Sequence, residues 1–255
     1  MGRKAYSGSM DYSNEFSEGF QETSLGKIYY KHHNGNGRTL VLIHGLGGTT
    51  RAWLRLVNFF PEDLNVYMID LLGHGKSDAP DIDYTLEKQV QILSEFITGQ
   101  DIKNCVLFGH SYGGWTAISY VLSGGRYAGL VLESCAGLKD YFDYLRKNDG
   151  LKKREERVMK TLSYLNTNRM FVFKSIMSHE LDDREFTQEE IRTIPKPTLI
   201  LWGSSDDIIE PEFAKIFNRC IKGSELAMVE GAGHDAHYTN PREVAGIVLG
   251  FLGYS

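Results

Sequence analysis

The sequence predicts an α/β fold with a doubly wound, mostly parallel sheet. Short runs that are apolar at every position alternate with longer stretches that carry a helical apolar stripe, a pattern typical of βαβ units. One apolar run, residues 105–108, leads through Gly-x-Ser-x-Gly into a helix-compatible stretch. Residues 137–194 contain no short apolar strand, only charged helical stretches with interspersed aromatic residues, which predicts a helical insertion between two strands of the sheet.

Edge strands, buried strands and helices are predicted in the first part of the chain. Residues 23–32 place apolar side chains around a Gly-Lys turn and end in a polar Asn/Gly segment, as antiparallel edge strands do. Residues 40–43 and 66–69 are apolar throughout, which is typical of strands buried on both faces of a parallel sheet. A helical pattern around Trp53 follows the first of these strands, and residues 85–97 carry a second helical stripe.

The turn after residues 105–108 carries Ser111 at its apex. A turn this sharp forces the central residue toward strained backbone angles and leaves no room for side chains two positions away, which explains Gly109 and Gly113. The strain would lift the Ser111 hydroxyl clear of the sheet and point the amides from Tyr112 onward at an incoming carbonyl oxygen. Because a glycine-rich turn can also hold an incidental serine, the assignment depends on the rest of the chain.

The remaining elements repeat the alternation around the insertion. Residues 130–132 form a buried strand before it, and Pro195 and Pro197 mark the return to the sheet. Helical patterns within the insertion cover residues 141–146, 151–165, 170–178 and 188–193. After the insertion the sequence predicts strands at 198–202 and 226–229, and helices at 212–221 and 242–252.

These elements divide the chain into an extension, a core and a cap. The expected organisation is a partly disordered N-terminal extension over residues 1–22, a core of residues 23–136 and 195–255, and a helical cap of residues 137–194.

The amino-acid composition argues against several classes of function. The 255 residues are 42% hydrophobic and 24% charged, as in ordinary globular domains, and the net charge of −5 argues against nucleic acid or an anionic membrane surface as a partner. No segment reaches the ~18 apolar residues of a membrane span, and the polar start of the chain lacks the apolar centre of a secretory signal. Three cysteines without metal-binding spacing predict reduced thiols in a cytoplasmic protein.

Two loops after predicted strands carry candidates for acid–base chemistry. A serine hydroxyl is a poor nucleophile at neutral pH and needs a base, which in turn needs a carboxylate to set its tautomer. Asp206 follows the strand that ends at Trp202, and His234 follows the strand that ends at Val229. Because the carboxyl ends of parallel strands meet at one crevice, we expect both side chains to lie near Ser111.

Five motifs together resemble those of the α/β-hydrolase superfamily, from about residue 23 to the end of the chain. They are His44-Gly45-Leu46-Gly47, Asp70-x-x-Gly73-x-Gly75-x-Ser77, Gly109-His110-Ser111-Tyr112-Gly113-Gly114, Gly203-x-x-Asp206, and Gly231-x-Gly233-His234 with Pro241 beyond. The resemblance implies the α/β-hydrolase fold, with an eight-stranded sheet and a helical cap inserted after strand 6 as a lid. These motifs are specific for the fold and the catalytic arrangement, and weakly specific for the substrate.

The resemblance also implies roles for individual residues. Ser111 would be the nucleophile, Asp206 the orienting acid and His234 the base. The oxyanion hole would be formed by the backbone N–H groups of Leu46 and Tyr112. Neither a metal nor an organic cofactor is expected.

Neighbouring residues offer alternatives to this assignment. Asp207 could replace Asp206, and Glu133 ends the preceding strand, where some relatives carry the acid. His237 could take the place of His234, although the glycine immediately before His234 favours the latter.

Other patterns argue against roles for His44 and His110 in the reaction and against nucleotide or zinc sites. We expect His44 to brace the loop below the oxyanion hole and His110 to pack away from the reaction. Residues 45–50 lack the last glycine of a dinucleotide fingerprint, and residues 75–77 follow a segment without the first glycine of a P-loop. The two histidines of the last loop have no third ligand at metal-binding spacing, so a zinc site is not expected.

The sequence therefore predicts a serine hydrolase that cleaves a small carboxylic ester or a related acyl compound through an acyl-enzyme. The expected partner is a small-molecule substrate, and the chain would act as a monomer or homodimer. The same triad would also suit a carbon–carbon bond hydrolase, a lactonase or a thioesterase. A ligand sensor that retains a hydrolase site, and a purely structural hydrolase fold, are alternatives of other classes.

Overall fold

The computed structural model describes residues 16–147, 150–163, 169–179 and 183–254. The first fifteen residues, which make up most of the predicted N-terminal extension, lie outside the described residues. So do three short pieces of the predicted cap, at residues 148–149, 164–168 and 180–182.

The described residues form one eight-stranded sheet. Its strands are β1 (Ser17–Thr23), β2 (Gly26–His33), β3 (Thr39–Ile43), β4 (Asn65–Ile69), β5 (Cys105–His110), β6 (Gly129–Glu133), β7 (Thr198–Gly203) and β8 (Glu225–Val229). They lie in the order β1-β2-β4-β3-β5-β6-β7-β8. Strand β2 is antiparallel to β1 and to β4, and all other neighbours are parallel. The predicted eight-stranded, mostly parallel sheet is confirmed.

Strand β1 begins at Ser17, inside the segment that the sequence assigned to the N-terminal extension. It pairs antiparallel with β2, from Ser17 opposite His32 to Thr23 opposite Gly26. Its side chains are exposed or half-buried, and its one aromatic residue, Phe20, is 55% exposed. Because an edge strand needs no continuous apolar run, the sequence pattern predicted only its last residue, Thr23.

Ten α-helices occur in the described part of the chain. They are α1 (Leu54–Val57), α2 (Leu86–Gly99), α3 (Tyr112–Leu122), α4 (Lys139–Lys147), α5 (Gly150–Ser163), α6 (Met170–His179), α7 (Gln188–Arg192), α8 (Glu212–Cys220), α9 (Ala236–Thr239) and α10 (Pro241–Phe251). The predicted core helices correspond to α2, α3, α8 and α10. The pattern around Trp53 gives only a 3-10 turn, Thr50–Trp53, followed by the single turn of α1. The one-turn helix α9 was not predicted, since four residues carry no periodicity.

Packing on both faces of the sheet explains the uniformly apolar strands. In β3, Val41 and Ile43 belong to one hydrophobic core, while Leu40 and Leu42 belong to the core on the opposite face. All four are fully buried, and each such side chain stabilises the fold by about 1.5–3 kcal/mol. The sheet is therefore covered by helices on both sides, as the sequence predicted.

The chain between β6 and β7, residues 137–194, is called the helical insertion below. It contains α4 to α7. Its start is tied to the segment before α7, because Phe186 N–H donates to the Gly137 carbonyl (2.7 Å) and Lys139 N–H donates to the Phe186 carbonyl (2.9 Å). The Trp115 indole of α3 donates to the Arg184 carbonyl (2.9 Å), which fastens the insertion to the core.

This topology brings several loops to one edge of the sheet. Strand β5 lies between β3 and β6, and the carboxyl ends of β3, β5, β6, β7 and β8 point the same way. The loops that follow these strands therefore converge.

Cys105, Cys135 and Cys220 are buried free thiols, as expected. Among the helices of the described ranges, none has the length and apolar character that crossing a bilayer would require.

Candidate active site

Ser111 occupies a strained position at the junction of β5 and α3. Its φ of 51° and ψ of −113° lie outside the favoured regions for a residue with a side chain, at a cost of about 1–3 kcal/mol. Two main-chain hydrogen bonds hold this conformation: Ser111 N–H donates to the Glu133 carbonyl (2.9 Å), and Trp115 N–H donates to the Ser111 carbonyl (3.1 Å). The predicted strain at the apex is confirmed.

Two glycines make this turn sterically feasible. A Cβ on Gly113 would lie 2.1 Å from the Ile43 carbonyl oxygen, because α3 crosses directly over the end of β3. A Cβ on Gly109 would lie 2.5 Å from the Gly113 carbonyl oxygen. Both contacts are far inside van der Waals distance, so any side chain at either position would displace the helix from the strand.

His234 and Asp206 are hydrogen-bonded to each other across the loops after β8 and β7. The imidazole Nδ1 lies 2.9 Å from Oδ2 and 3.1 Å from Oδ1 of the carboxylate. The Asp206 side chain is fully buried, and its Oδ1 also accepts the N–H groups of Ile208 (2.9 Å) and Ile209 (3.1 Å). Burial alone would raise the pKa of Asp206, but the hydrogen bond and charge of His234 and these amides lower it.

This pairing sets the tautomer of His234. Because an ionised carboxylate can only accept, Nδ1 carries the proton and Nε2 is left with a lone pair. An imidazole in this state can take a proton from a nearby hydroxyl.

Ser111 and His234 line one cavity of about 380 Å³, with Leu46 and Tyr112 on its wall. Among the hydrogen bonds of the described residues, none joins the Ser111 hydroxyl to the imidazole of His234. Direct proton transfer between these two groups would require them to approach each other within the cavity that they share. Residues Arg154 and Val158 of α5 also line it, so the helical insertion forms part of the wall.

His44 fixes the loop that carries Leu46. Its Nε2 accepts the Leu71 N–H (3.0 Å), so Nδ1 carries the proton and donates to the Gly45 carbonyl (2.8 Å). Burial lowers the pKa of His44, which keeps the ring neutral. This arrangement agrees with the expectation that His44 braces the loop rather than reacting.

Leu46 and Tyr112, which the sequence assigned to an oxyanion hole, both line the cavity that contains Ser111. Leu46 follows β3, and Tyr112 is the first residue of α3, where the helix dipole favours negative charge.

The alternative acid and base form a separate pair. The Glu133 carboxylate accepts the His237 main-chain N–H at Oε1 (2.8 Å) and binds the imidazole Nδ1 at Oε2 (2.9 Å). Glu133 therefore lies against His237 and not His234. Asp207 lines the cavity, whereas its neighbour Asp206 is the residue bonded to His234.

His110 lies closer to the reactive groups than the sequence suggested. Its ring is 4.9 Å from that of His234 and 4.8 Å from that of His237, measured between centroids. Its Nε2 lies 3.0 Å from the His234 carbonyl oxygen, so it carries a proton and donates. The expectation that His110 packs away from the site is therefore wrong. Only strand pairing, which places His110 beside Glu133, could have indicated this.

Three of these side chains could in principle approach a metal ion. The ligand atoms of His110, Asp235 and His237 lie within 4.8 Å of one another. The spacing of residues along the chain gives no sign of this group, because His110 comes from a distant strand and only His234 and His237 are close in sequence. In the present arrangement the His110 Nε2 proton is donated to a carbonyl, which leaves that nitrogen no lone pair for a metal.

A larger cavity of about 510 Å³ lies elsewhere, between α2, α3 and the helical insertion. Its one carboxylate from the insertion, Asp183, accepts the Leu86 N–H at the start of α2. Among the described residues that line this cavity, no histidine is hydrogen-bonded to a carboxylate, so the smaller cavity is the candidate active site.

Comparison with known proteins agrees with this fold. A sequence profile described as "Alpha/beta hydrolase family" matches residues 40–247. The chain is 28% identical over 248 residues to 2-hydroxy-6-oxo-6-(2'-aminophenyl)hexa-2,4-dienoic acid hydrolase of Metapseudomonas resinovorans, covering 86% of this chain and 85% of that protein. It is also 28% identical over 236 residues to Lipase 1 of Psychrobacter immobilis, covering 81% and 74%.

A solved structure of a serine hydrolase involved in carbazole degradation superposes with a TM-score of 0.78. The alignment covers 94% of this chain and all of that one, at 27% sequence identity.

Proposed function

Since the chain belongs to the alpha/beta hydrolase family, we propose that it is a serine hydrolase that cleaves a small carboxylic ester through a covalent acyl-enzyme. The observation that carries this proposal is the buried Asp206–His234 pair beside the cavity that contains Ser111. An oriented imidazole next to a strained serine is the arrangement that nucleophilic acyl transfer needs.

The reaction would proceed in two steps. His234 Nε2 takes the Ser111 proton as Oγ attacks the ester carbonyl, and the imidazolium that forms is stabilised by Asp206. The oxyanion accepts hydrogen bonds from the Leu46 and Tyr112 amides, each worth about 10²–10³ in rate. His234 then protonates the departing alcohol. A water molecule that gives its proton to His234 hydrolyses the acyl-enzyme and restores the serine.

The cavity favours a small substrate with a partly apolar body. Its volume of about 380 Å³ is at the lower end of the range for small-molecule sites, about 300–1,000 Å³. Leu46, Val158 and Ile208 contribute apolar surface, while Arg154 and Asp207 add charge at the side of the helical insertion. We also propose that the insertion acts as a cap over this cavity.

Hydrolysis of p-nitrophenyl acetate, butyrate and octanoate tests the proposal. We expect the two shorter esters to be turned over faster, and Ser111→Ala to lower kcat by about 10⁴–10⁶-fold. Ser178→Ala is the matched control, since this exposed serine of α6 lies away from the cavity. Wild-type turnover by the Ser111→Ala protein would disprove the assignment of Ser111 as the nucleophile. A fluorophosphonate with mapping of the labelled peptide provides an independent check.

Carbon–carbon bond hydrolysis is the second candidate. The similarity to the dienoic acid hydrolase of Metapseudomonas resinovorans supports it. Arg154 offers a cation in the cavity for the carboxylate of such an acid. Product analysis on a 6-aryl-2-hydroxy-6-oxohexa-2,4-dienoic acid, beside a lactone and a thioester, separates these reactions. Faster turnover of the dienoic acid than of any ester would favour carbon–carbon bond hydrolysis over ester hydrolysis as the function.

A further inference from the structure

A second acid–histidine pair lies next to the proposed triad and is not used in the reaction above. Glu133, at the end of β6, binds both the main-chain N–H and the Nδ1 of His237. Both side chains are almost completely buried, at 0% and 2% exposure. A buried carboxylate with two hydrogen bonds to one residue fixes that residue strongly, because losing either bond would leave a desolvated charge without a partner.

His110 connects this pair to the proposed base. It lies between the rings of His234 and His237, and its Nε2–H donates to the His234 carbonyl. His110 also precedes Ser111 directly in the chain. The residue next to the nucleophile is therefore hydrogen-bonded to the backbone of the base.

Both ends of the segment 234–237 are consequently anchored to the sheet. His110 of β5 holds the carbonyl of His234, and Glu133 of β6 holds the N–H of His237. The two anchoring residues are themselves paired in register on adjacent strands. The backbone that carries the His234 imidazole is thus set by the same two strands that place Ser111.

The charge states of His110 and His237 are compatible with a role in positioning His234. Burial, aided by the nearby charge of His237, lowers the pKa of His110 to about 4, so its ring is neutral. Burial would also lower the pKa of His237, but the adjacent Glu133 carboxylate raises it. The neutral His110 ring therefore adds no charge beside His234 when that ring takes up a proton.

We propose that His110, Glu133 and His237 form an anchor network of positioning residues that holds the imidazole of His234 in reach of Ser111. The inference rests on the proposed function, since it takes His234 as the base. None of the three residues exchanges a proton with the substrate.

Three variants test the anchor network with p-nitrophenyl butyrate. His110→Leu removes the donor to the His234 carbonyl, and Glu133→Gln removes the charge while keeping the shape. We expect each to lower kcat about 10- to 100-fold with little change in KM, because a displacement of about 1 Å costs up to that much. His110→Gln should remain within about threefold of wild type, since its amide N–H can replace the Nε2 donor.

Gln89→Leu is the matched control for loss of a buried donor. Gln89 is completely buried, and its Nε2 donates to the Leu72 carbonyl (3.0 Å) in a different loop. We expect a drop in the unfolding midpoint like that of His110→Leu, with kcat within about twofold of wild type. If His110→Leu and Glu133→Gln reduce kcat no more than Gln89→Leu does, or if His110→Gln fails to restore it, the anchor network is wrong.

Proton NMR of the imidazoles separates this inference from the proposed function. The Nδ1 proton of His234, shared with Asp206, should give a low-field signal in the wild type. We expect that signal to shift or broaden in His110→Leu and Glu133→Gln and to stay unchanged in Gln89→Leu. An unchanged signal in all three variants would overturn the anchor network even if the protein hydrolyses esters. A wild type without hydrolase activity would instead refute the proposed function, while the signal still reports the placement of His234.

Discussion

Two acid–histidine pairs lie side by side at the edge of this sheet and have the same chemistry but different surroundings. In the pair Asp206–His234 the imidazole borders the cavity and its side chain is 14% exposed. In the pair Glu133–His237 the imidazole is 2% exposed, and the carboxylate also binds a main-chain N–H. A buried carboxylate beside a histidine therefore does not by itself indicate a catalytic pair. What distinguishes the first pair is that His234 lines the cavity of Ser111, whereas His237 is not among the residues that line it.

The largest expected difference between the pairs comes from removing each imidazole. His234→Ala should lower kcat by about 10⁴–10⁶-fold, because no other group can take the serine proton. His237→Gln should lower it only about 10- to 100-fold, through misplacement of His234. Ester hydrolysis and the thermal midpoint of both variants measure this. Equal losses at the two positions would remove the distinction between the pairs.

The next largest effect concerns the acid. Asp206→Asn should reduce kcat by about 10⁴-fold, since the amide favours the wrong tautomer of His234. Asp207→Asn, its neighbour in the same loop, is the control and should stay within about threefold. Steady-state kinetics of the two variants decides which carboxylate orients the base. A larger loss at Asp207 would exchange their roles.

Changes to the Glu133–His237 pair should affect the free energy of unfolding more than the catalytic rate. Glu133 has a pKa lowered from 4.5, so its stabilising effect is present above that pH and is lost as the pH falls through the folded-state value. His237 has a pKa raised from 6.5, so its effect is present below that pH and is lost as the pH rises through the folded-state value. The pair therefore stabilises the fold most between about pH 4.5 and 6.5.

Urea unfolding of wild type and Glu133→Gln tests this window. We expect the free energies of unfolding to differ by about 3 kcal/mol inside it and by less on either side. Burial lowers the pKa of His110 while the Glu133 charge raises it, so the titration of His110 contributes to the difference on the acidic side of this window. A difference that does not vary with pH would mean that the pair is not ionised in the folded protein.

The smallest effect is expected from removing metal ions. Dialysis against a chelator should leave the rate unchanged, because the proposed reaction uses only side chains and backbone amides. A loss of activity that added Zn²⁺ restores would contradict this. It would show that His110, Asp235 and His237 bind a metal rather than anchoring the segment of His234.

Local steric rules made much of the site predictable. The strained turn followed from Gly109 and Gly113, whose missing side chains are required by contacts within a few residues or with the neighbouring strand. The uniformly apolar strand β3 likewise indicated burial on both faces. The edge strand β1 was only partly predicted, since an exposed edge imposes no apolar pattern on residues 17–22.

By itself the sequence determined the order of the elements, the serine at the apex of its turn, and the short set of acids and histidines in the loops. Only the tertiary structure decided which acid meets which histidine. Asp206 and His234 are 28 residues apart, and Glu133 and His237 are 104 apart. Such pairings depend on strand order and on the position of one short helix, and those are set by packing across the whole sheet rather than by any local preference of the residues involved.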